Sequence, residues 1–145
     1  MEIVQISVEP RQETGKKAAK AIRKAGHIPA VIYSKKNGVT HFTTKHADVK
    51  SMVFTPDFKL AEITIGGKTS KALLKEVTFH PVTEQIMHMD FLELVDGQPL
   101  KAHIPVKLTG VSPGVKSGGK LIRTLRTVKI KATPETLVDN LFVSI

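Results

Sequence analysis

The stretch L-A-E-I-T-I-G-G-K-T-S-K-A-L-L-K-E-V-T-F, residues 60–79, contains the clearest β-hairpin signal in the chain. Residues 60–65 and 70–79 are rich in apolar and β-branched side chains, and Gly66-Gly67-Lys68 supplies the turn between them. This hairpin predicts that the first two thirds of the chain are built on an antiparallel sheet.

Four further segments around the hairpin also have strand patterns: residues 3–8, 29–33, 39–44 and 85–94. Two short helices are predicted, over residues 14–26 and 46–54, each followed by a glycine or proline. Six strands with short connections in about 95 residues predict a mainly β fold, a small six-stranded β-barrel or strongly curved sheet. We expect Val, Ile, Leu, Phe and Met to fill its interior.

The turn cluster Asp96-Gly97-Gln98-Pro99 predicts a domain boundary, which gives domains of residues 1–95 and 96–145. Beyond it, strand patterns cover residues 100–108, 121–132 and 141–145, with a flexible glycine loop over residues 110–120. Pro105 predicts that the strand over 100–108 is an edge strand or begins after a bulge. The second domain is expected to be all-β and partial, because this pattern is too short for a finished sandwich.

The chain has a formal net charge of +9 and no cysteine. The absence of cysteine excludes disulfides, thiolate zinc sites and thiol nucleophiles. No apolar run reaches the length of a membrane span and no secretory signal is visible, so we expect a cytoplasmic protein with no membrane partner.

The charge is unevenly distributed. Residues 1–36 carry eight Lys/Arg against three Asp/Glu, residues 109–134 carry six Lys/Arg and no acid, and residues 80–100 are acidic. Two basic zones of this kind indicate nucleic acid or another polyanion as the partner.

The basic helix predicted over residues 14–26 places Lys16, Lys17, Lys20, Arg23 and Lys24 on one arc. Lysines in the first turn and like charges at i, i+4 each destabilise a free helix by a few tenths of a kcal/mol. This arrangement favours a phosphate-binding helix, although a solvated surface face remains the alternative.

The segment M-H-M-D-F, residues 87–91, predicts a strand with His88 and Asp90 on one face and Met87, Met89 and Phe91 on the other. An imidazole beside a carboxylate could be the base and orienter of a catalytic site, but no nucleophile motif accompanies the pair. An RNA-contacting pair and an exposed polar pair are the other two interpretations.

The six histidines show no metal-binding spacing, so the sequence predicts no metal site and no cofactor. Residues 114–120 nearly match a phosphate-binding loop, but Leu121 stands where a hydroxyl is required and a strand pattern follows. Tyr33 is the single tyrosine and there is no tryptophan, so a platform that stacks several bases is excluded. Recognition would then depend on backbone charge and the shape of a folded RNA.

Five motifs, taken in order, resemble a known family: G-K-x-A with Arg23 in the basic helix, I-P-A-V-I-Y (28–33), K-E-V-x-x-H-P-V (75–82), H-M-D-F (88–91) and V-x-L-x-G-x-x-x-G-V-K-x-G-G (106–119). The chain resembles the 5S ribosomal RNA-binding proteins of the bacterial large ribosomal subunit, in the two-domain form known as general stress protein CTC. The resemblance extends from about residue 4 to residue 121.

This resemblance implies a structural, non-catalytic ribosomal protein whose barrel binds the loop E region of 5S rRNA and whose second domain is all-β. Its partners would be 5S rRNA, the large ribosomal subunit and possible neighbouring ribosomal proteins. The resemblance implies phosphate contacts for the arginines and for lysines of the basic helix, groove contacts for the tyrosine, histidine and aspartate, and a place on the same surface for Lys75. The residues concerned are Arg11, Lys16, Lys17, Lys20, Arg23, Tyr33, Lys75, Thr78, His88 and Asp90.

Two positions depart from the family pattern: Thr78 replaces a glutamine, which shortens a base-contacting side chain, and Ser34 replaces a glycine after Tyr33. Two functions of other classes remain open at this point. One is a hydrolase or nuclease that uses His88 and Asp90, and the other is a protein-interaction module that acts through residues 80–100.

Overall fold

The computed structural model describes residues 2–145. Within them the chain forms ten strands: β1 (Glu2–Ile6), β2 (Val8–Pro10), β3 (His27–Ser34), β4 (Gly38–Lys45), β5 (Lys59–Ile65), β6 (Lys68–Phe79), β7 (Ile86–Glu93), β8 (Leu100–Thr109), β9 (Thr127–Ala132) and β10 (Leu141–Ser144). Three α-helices accompany them: α1 (Lys16–Lys24), α2 (His46–Val53) and α3 (Pro113–Lys116). A 3-10 turn covers Pro134–Thr136.

The first seven strands form one curled sheet in the order β1-β5-β6-β7-β3-β4-β2. Strands β1 and β2 occupy opposite edges of this sheet, yet only Ser7 separates them in the chain. The chain therefore joins the two edges and curls the sheet into a barrel. The strand predicted over residues 3–8 is thus two strands, because β1 pairs in parallel with β5 and β2 pairs antiparallel with β4.

The hairpin over residues 60–79 has the predicted position, and Ile65 pairs with Lys68 across a two-residue loop. Both loop residues, Gly66 and Gly67, have positive φ angles, 56° and 80°. Two consecutive positive φ angles define the turn that matches the right-handed twist of an antiparallel ribbon, and glycine adopts them without steric cost. The two glycines that mark this turn in the sequence are therefore the residues that its backbone conformation favours.

Buried apolar side chains fill the barrel, as predicted. Phe42 and Phe91 pack with ring centroids 5.8 Å apart, and Met89 is fully buried beside them. Met87 is an exception to the predicted strand alternation, because β7 has an irregularity between Ile86 and His88. Ile86 faces the core in its place, and Met87 is half-buried outside it.

The second sheet has the order β10-β8-β9, so β8 is its central strand and the prediction of an edge strand was wrong. Pairing with β9 ends at Pro105, and pairing with β10 begins at Val106 on the other side. Proline has no N–H to donate, and its position at this changeover lets a central strand contain it.

The strand predicted over residues 121–132 begins only at Thr127, and residues 121–126 have no regular structure. The Arg123 guanidinium donates to the Val106 carbonyl at 3.0 Å, which occupies an acceptor that a neighbouring strand would use. The glycine loop also contains α3, which begins with Pro113 after Ser112, and Ser112 Oγ accepts from Val115 N at 3.4 Å.

The two sheets share a second hydrophobic core. Leu73 on the outer face of the barrel packs in one cluster with Leu100, Ala102 and Ile104 of β8 and with Leu137, which follows the 3-10 turn. Lys107 Nζ and Asp57 Oδ1, 2.7 Å apart, add an ion pair across the same junction. The turn at residues 96–97 lies between β7 and β8, and the division at 95/96 stays a prediction.

Candidate nucleic-acid interface

Helix α1 carries the most concentrated positive charge on the barrel. Lys16, Lys17, Lys20 and Lys24 are exposed, and no residue of the helix is fully buried. The N-cap is Gly15, whose φ angle is 108° and which has no side chain to accept from the first amides. The first turn contains no acid. The positive end of the helix dipole and two lysines therefore coincide, and the partner that suits them is an anion.

Arg23 fixes the other end of α1 to the barrel. Its Nη1 donates to the carbonyl oxygen of Met87 at 3.3 Å. The acceptor is available because Met87 lies at the irregularity of β7, outside the regular ladder. A guanidinium has five N–H donors, so this bond leaves others for a ligand.

His88 and Asp90 lie side by side on the outer face of β7, as predicted. Their side chains are 36% and 24% exposed, and His88 Nδ1 is 2.8 Å from Asp90 Oδ1. Thr78 of β6 is directly opposite His88, and Glu76 is opposite Asp90. These residues form a polar strip on the outside of the barrel, beside the bond that holds α1.

Tyr33 and Lys75 continue this face. Lys75 Nζ lies 5.6 Å from the centroid of the Tyr33 ring, a cation–π distance. Lys75 has no partner on β7, because the register shifts between Leu74 and Glu76. Lys75 is therefore the extra residue of a bulge, and its exposed ammonium group lies over the Tyr33 ring. One face of this ring is thus part of a cationic surface.

Arg11 follows β2, and its backbone N–H donates to His41 O at 3.1 Å. Its side-chain Nε and Nη1 are buried and have no hydrogen-bond partner within residues 2–145. His41 Nδ1 is also buried and has no hydrogen-bond partner within residues 2–145. The strand register places His41 opposite Val31, and Val31 is opposite Asp90 on its other side. Leaving charged donors buried and unpaired is costly, so an anionic oxygen that reached Arg11 would relieve that cost.

The structure thus brings Arg23, Tyr33, Lys75, Thr78, His88 and Asp90 to one side of the barrel, with α1 attached beside them. Sequence reasoning missed His41 and the Met87 carbonyl. The hairpin register could have indicated His41, because pairing of Ser34 with Gly38 also sets Val31 opposite His41. The irregularity at Met87 has no signal that we can identify in the sequence.

A separate group lies at the mouth of the barrel, in a cavity of about 170 Å³ lined by Glu93, Ser70, Ser34 and Lys68 among others. Burial by itself would raise the pKa of Glu93. The hydroxyls of Ser34 and Ser70, together with Lys68 and Lys36, outweigh burial and hold this pKa below its ordinary value of 4.5. Ser70 Oγ donates to Glu93 Oε1 at 2.7 Å.

No group of three His, Asp or Glu side chains in residues 2–145 is arranged to hold a metal ion. None of the helices in this part of the chain is long and apolar enough to cross a membrane.

The sequence matches two models of known protein families. Residues 6–91 match the model of the ribosomal L25p family. The chain belongs to that family. Residues 99–145 match a second model, the C-terminal domain of ribosomal protein TL5, which agrees with the two-domain resemblance.

Individual members of the L25p family are similar along the whole chain. The large ribosomal subunit protein bL25 of Porphyromonas gingivalis is 43% identical over 146 aligned residues, which cover 100% of this chain and 76% of that protein. The bL25 proteins of Phocaeicola vulgatus and Bacteroides thetaiotaomicron are each 35% identical, with 100% and 96% of this chain covered, and 76% and 70% of theirs. Membership in a family of structural ribosomal proteins removes the hydrolase and nuclease interpretation of His88 and Asp90.

Proposed function

We propose that this chain is a structural constituent of the large ribosomal subunit that binds 5S rRNA, at its loop E region, through α1 and the adjacent outer face of the barrel. The observation that supports this most is the Arg23–Met87 bond, which attaches a strongly basic helix beside the His88–Asp90 strip. Phosphate anchoring and base-edge contact can then act on one RNA segment at the same time.

The two parts of this surface have different roles in the proposal. Lys16, Lys17 and Lys20 bind phosphates, with α1 contributing its N-terminal amides. Arg11 and Arg23 bind phosphates closer to the barrel surface. This part supplies affinity and orientation and is insensitive to base sequence.

Selectivity comes from the barrel face. Asp90 accepts hydrogen bonds from base amino groups, and His88, whose ring is oriented by Asp90, donates to the RNA. Tyr33 offers a single aromatic face beside Lys75, and Thr78 makes a shorter contact than a glutamine would. A folded internal loop, with its widened groove and exposed edges, is the kind of RNA that this shallow strip can read. The site of action is the cytoplasmic ribosome.

The test measures the affinity of the full chain for a 5S rRNA fragment that contains loop E, and for a fully paired RNA duplex of equal length. We expect tighter binding to the fragment. The Lys16→Gln/Lys20→Gln variant should weaken binding to both RNAs, and should reduce the slope of log affinity against log salt by about 1.8, or roughly 0.9 per phosphate contact.

The matched control is Lys50→Gln/Lys71→Gln, which removes the same charge at exposed positions on α2 and β6. It should reduce affinity only through net charge. Equal affinity of the unaltered chain for the two RNAs would overturn the 5S assignment and leave a general polyanion binder.

A further inference from the structure

The second domain carries more net charge than the barrel although it is about half as long. Residues 96–145 contain eight Lys/Arg and three Asp/Glu, which gives +5 of the total of +9. From residue 97 to residue 134 the sequence contains no Asp or Glu. None of the ten RNA-contacting residues assigned above lies in this domain.

The strand register concentrates part of this charge on one face. Lys101 of β8 is directly opposite Lys131 of β9, and His103 is directly opposite Lys129. Directly opposite residues of an antiparallel pair point to the same side, with Cβ atoms about 5 Å apart, and the two pairs are about 7 Å apart along the strands. We call these four residues the β8–β9 cluster. All four side chains are exposed.

Within residues 2–145, none of the four side chains of the β8–β9 cluster forms an ion pair with a carboxylate; the lysines that do so include Lys59 and Lys107. One acid, Asp57, lines the groove beside His103, and it already binds Lys107 Nζ at 2.7 Å. Like charges directly opposite each other destabilise a sheet. The cluster therefore lowers the stability of this small sheet unless an external anion neutralises it.

We propose that the β8–β9 cluster is a second phosphate-binding surface, which binds a duplex segment of ribosomal RNA other than the segment bound at α1. A cross-strand pair of lysines, with a third lysine and an imidazole beside it, fits the closely spaced charges of a nucleic-acid backbone better than an isolated anion. Strands β8 and β9 contain no Phe, Tyr or Trp that could stack on unpaired bases, which favours duplex over single-stranded RNA. The choice of RNA over another polyanion follows from membership in the L25p family and does not depend on the 5S assignment.

The first experiment uses full-length protein and large ribosomal subunits stripped of this protein by high-salt washing. The Lys129→Gln/Lys131→Gln variant should bind about tenfold or more weakly than the unaltered chain in about 0.1 M salt, with the salt slope reduced by about 2. The control variant Lys50→Gln/Lys71→Gln has the same net charge. Equal affinities and slopes for the two variants would overturn the proposal.

The same variants are then measured on the isolated loop E fragment of 5S rRNA. We expect Lys129→Gln/Lys131→Gln to match the control there, because the second surface has no RNA to contact. A specific loss of affinity on this fragment would contradict a separate RNA segment. Failure of the 5S assignment would appear instead as equal affinity of the unaltered chain for this fragment and for the paired duplex, so the two proposals can fail independently.

The class of partner is tested by directed cleavage, which the absence of cysteine makes simple. A hydroxyl-radical source is attached to Thr127→Cys, on the same face of β9 as Lys129, and to Ala21→Cys on the exposed side of α1 as a positive control. In reconstituted subunits we expect rRNA strand cleavage from both sites, at different RNA segments. Cleavage from position 21 with none from position 127 would overturn the proposal, as would cleavage of one common segment by both.

Discussion

Arg23 Nη1 donates a hydrogen bond to the Met87 carbonyl oxygen at 3.3 Å, and this contact joins the basic helix to the strand that carries His88 and Asp90. Its acceptor exists because β7 is irregular at Met87. A guanidinium that the sequence marks only as a phosphate ligand therefore also positions the helix. Since no residue of α1 is fully buried, the helix depends on such contacts more than an ordinary surface helix does.

Replacing Arg23 by alanine should loosen α1 without unfolding the barrel. We expect a loss of about 1 kcal/mol in the free energy of unfolding, which is below the roughly 1.5 to 3 kcal/mol of hydrogen bonds to charged groups because this bond is long. Amide hydrogen exchange over residues 18–24 should accelerate. Lys24→Ala, at the exposed neighbouring position, is the control, and equal exchange rates in the two variants would show that Arg23 does not anchor the helix.

Replacing Asp90 by asparagine should separate recognition from stability. The free energy of unfolding should fall by less than about 1 kcal/mol, because His88 and Asp90 are partly exposed and polar contacts between exposed side chains contribute little. Affinity for the loop E fragment should fall by about 1 to 3 kcal/mol, while affinity for the paired duplex changes little. Glu76→Gln, opposite Asp90 on β6, is the comparison. Parallel losses on both RNAs would contradict a role in selectivity.

The lowered pKa of Glu93 predicts a pH dependence of stability. The folded state holds the carboxylate more strongly than the unfolded chain does, so the stabilisation is fully present above the ordinary value of 4.5 and is lost as the pH falls through the lower folded pKa. The stability of the unaltered chain relative to Glu93→Gln, measured by urea unfolding, should therefore decline from about pH 6 to about pH 3. A constant difference over that range would rule out this linkage.

Leu73 should be essential for the junction of the two sheets. It is 2% exposed and belongs to the core formed with Leu100, Ala102 and Ile104. Leu73→Ala should lower the free energy of unfolding by about 2 to 5 kcal/mol through cavity formation. Leu125→Ala, at a position 69% exposed, should change it by less than about 0.5 kcal/mol. Similar small losses for both variants would mean that the junction adds little to stability.

The sequence by itself determined the features that depend on local chemistry. The turn at Gly66-Gly67 needs two positive φ angles, and helix α1 lies between Gly15 and Gly26, so both could be located from residue types. The period of two along residues 88–91 placed His88 and Asp90 together for the same reason. The charge of α1 could also be predicted from the sequence, because lysine side chains on a short surface helix remain exposed to solvent.

Only the tertiary structure decided the features that depend on partners distant in the chain. The strand pattern is interrupted at Ser7, so that β1 and β2 lie at opposite edges of the sheet and the barrel closes. Pro105 can lie in a central strand because pairing of β8 with β9 ends there and pairing with β10 begins at the next residue. The irregular residue Met87, the unpaired donors of Arg11 and the facing lysines of β8 and β9 also arise from strand pairing. Periodicity fixes the face on which a residue lies, whereas the register with a distant strand fixes its neighbours, and the function proposed here depends on those neighbours.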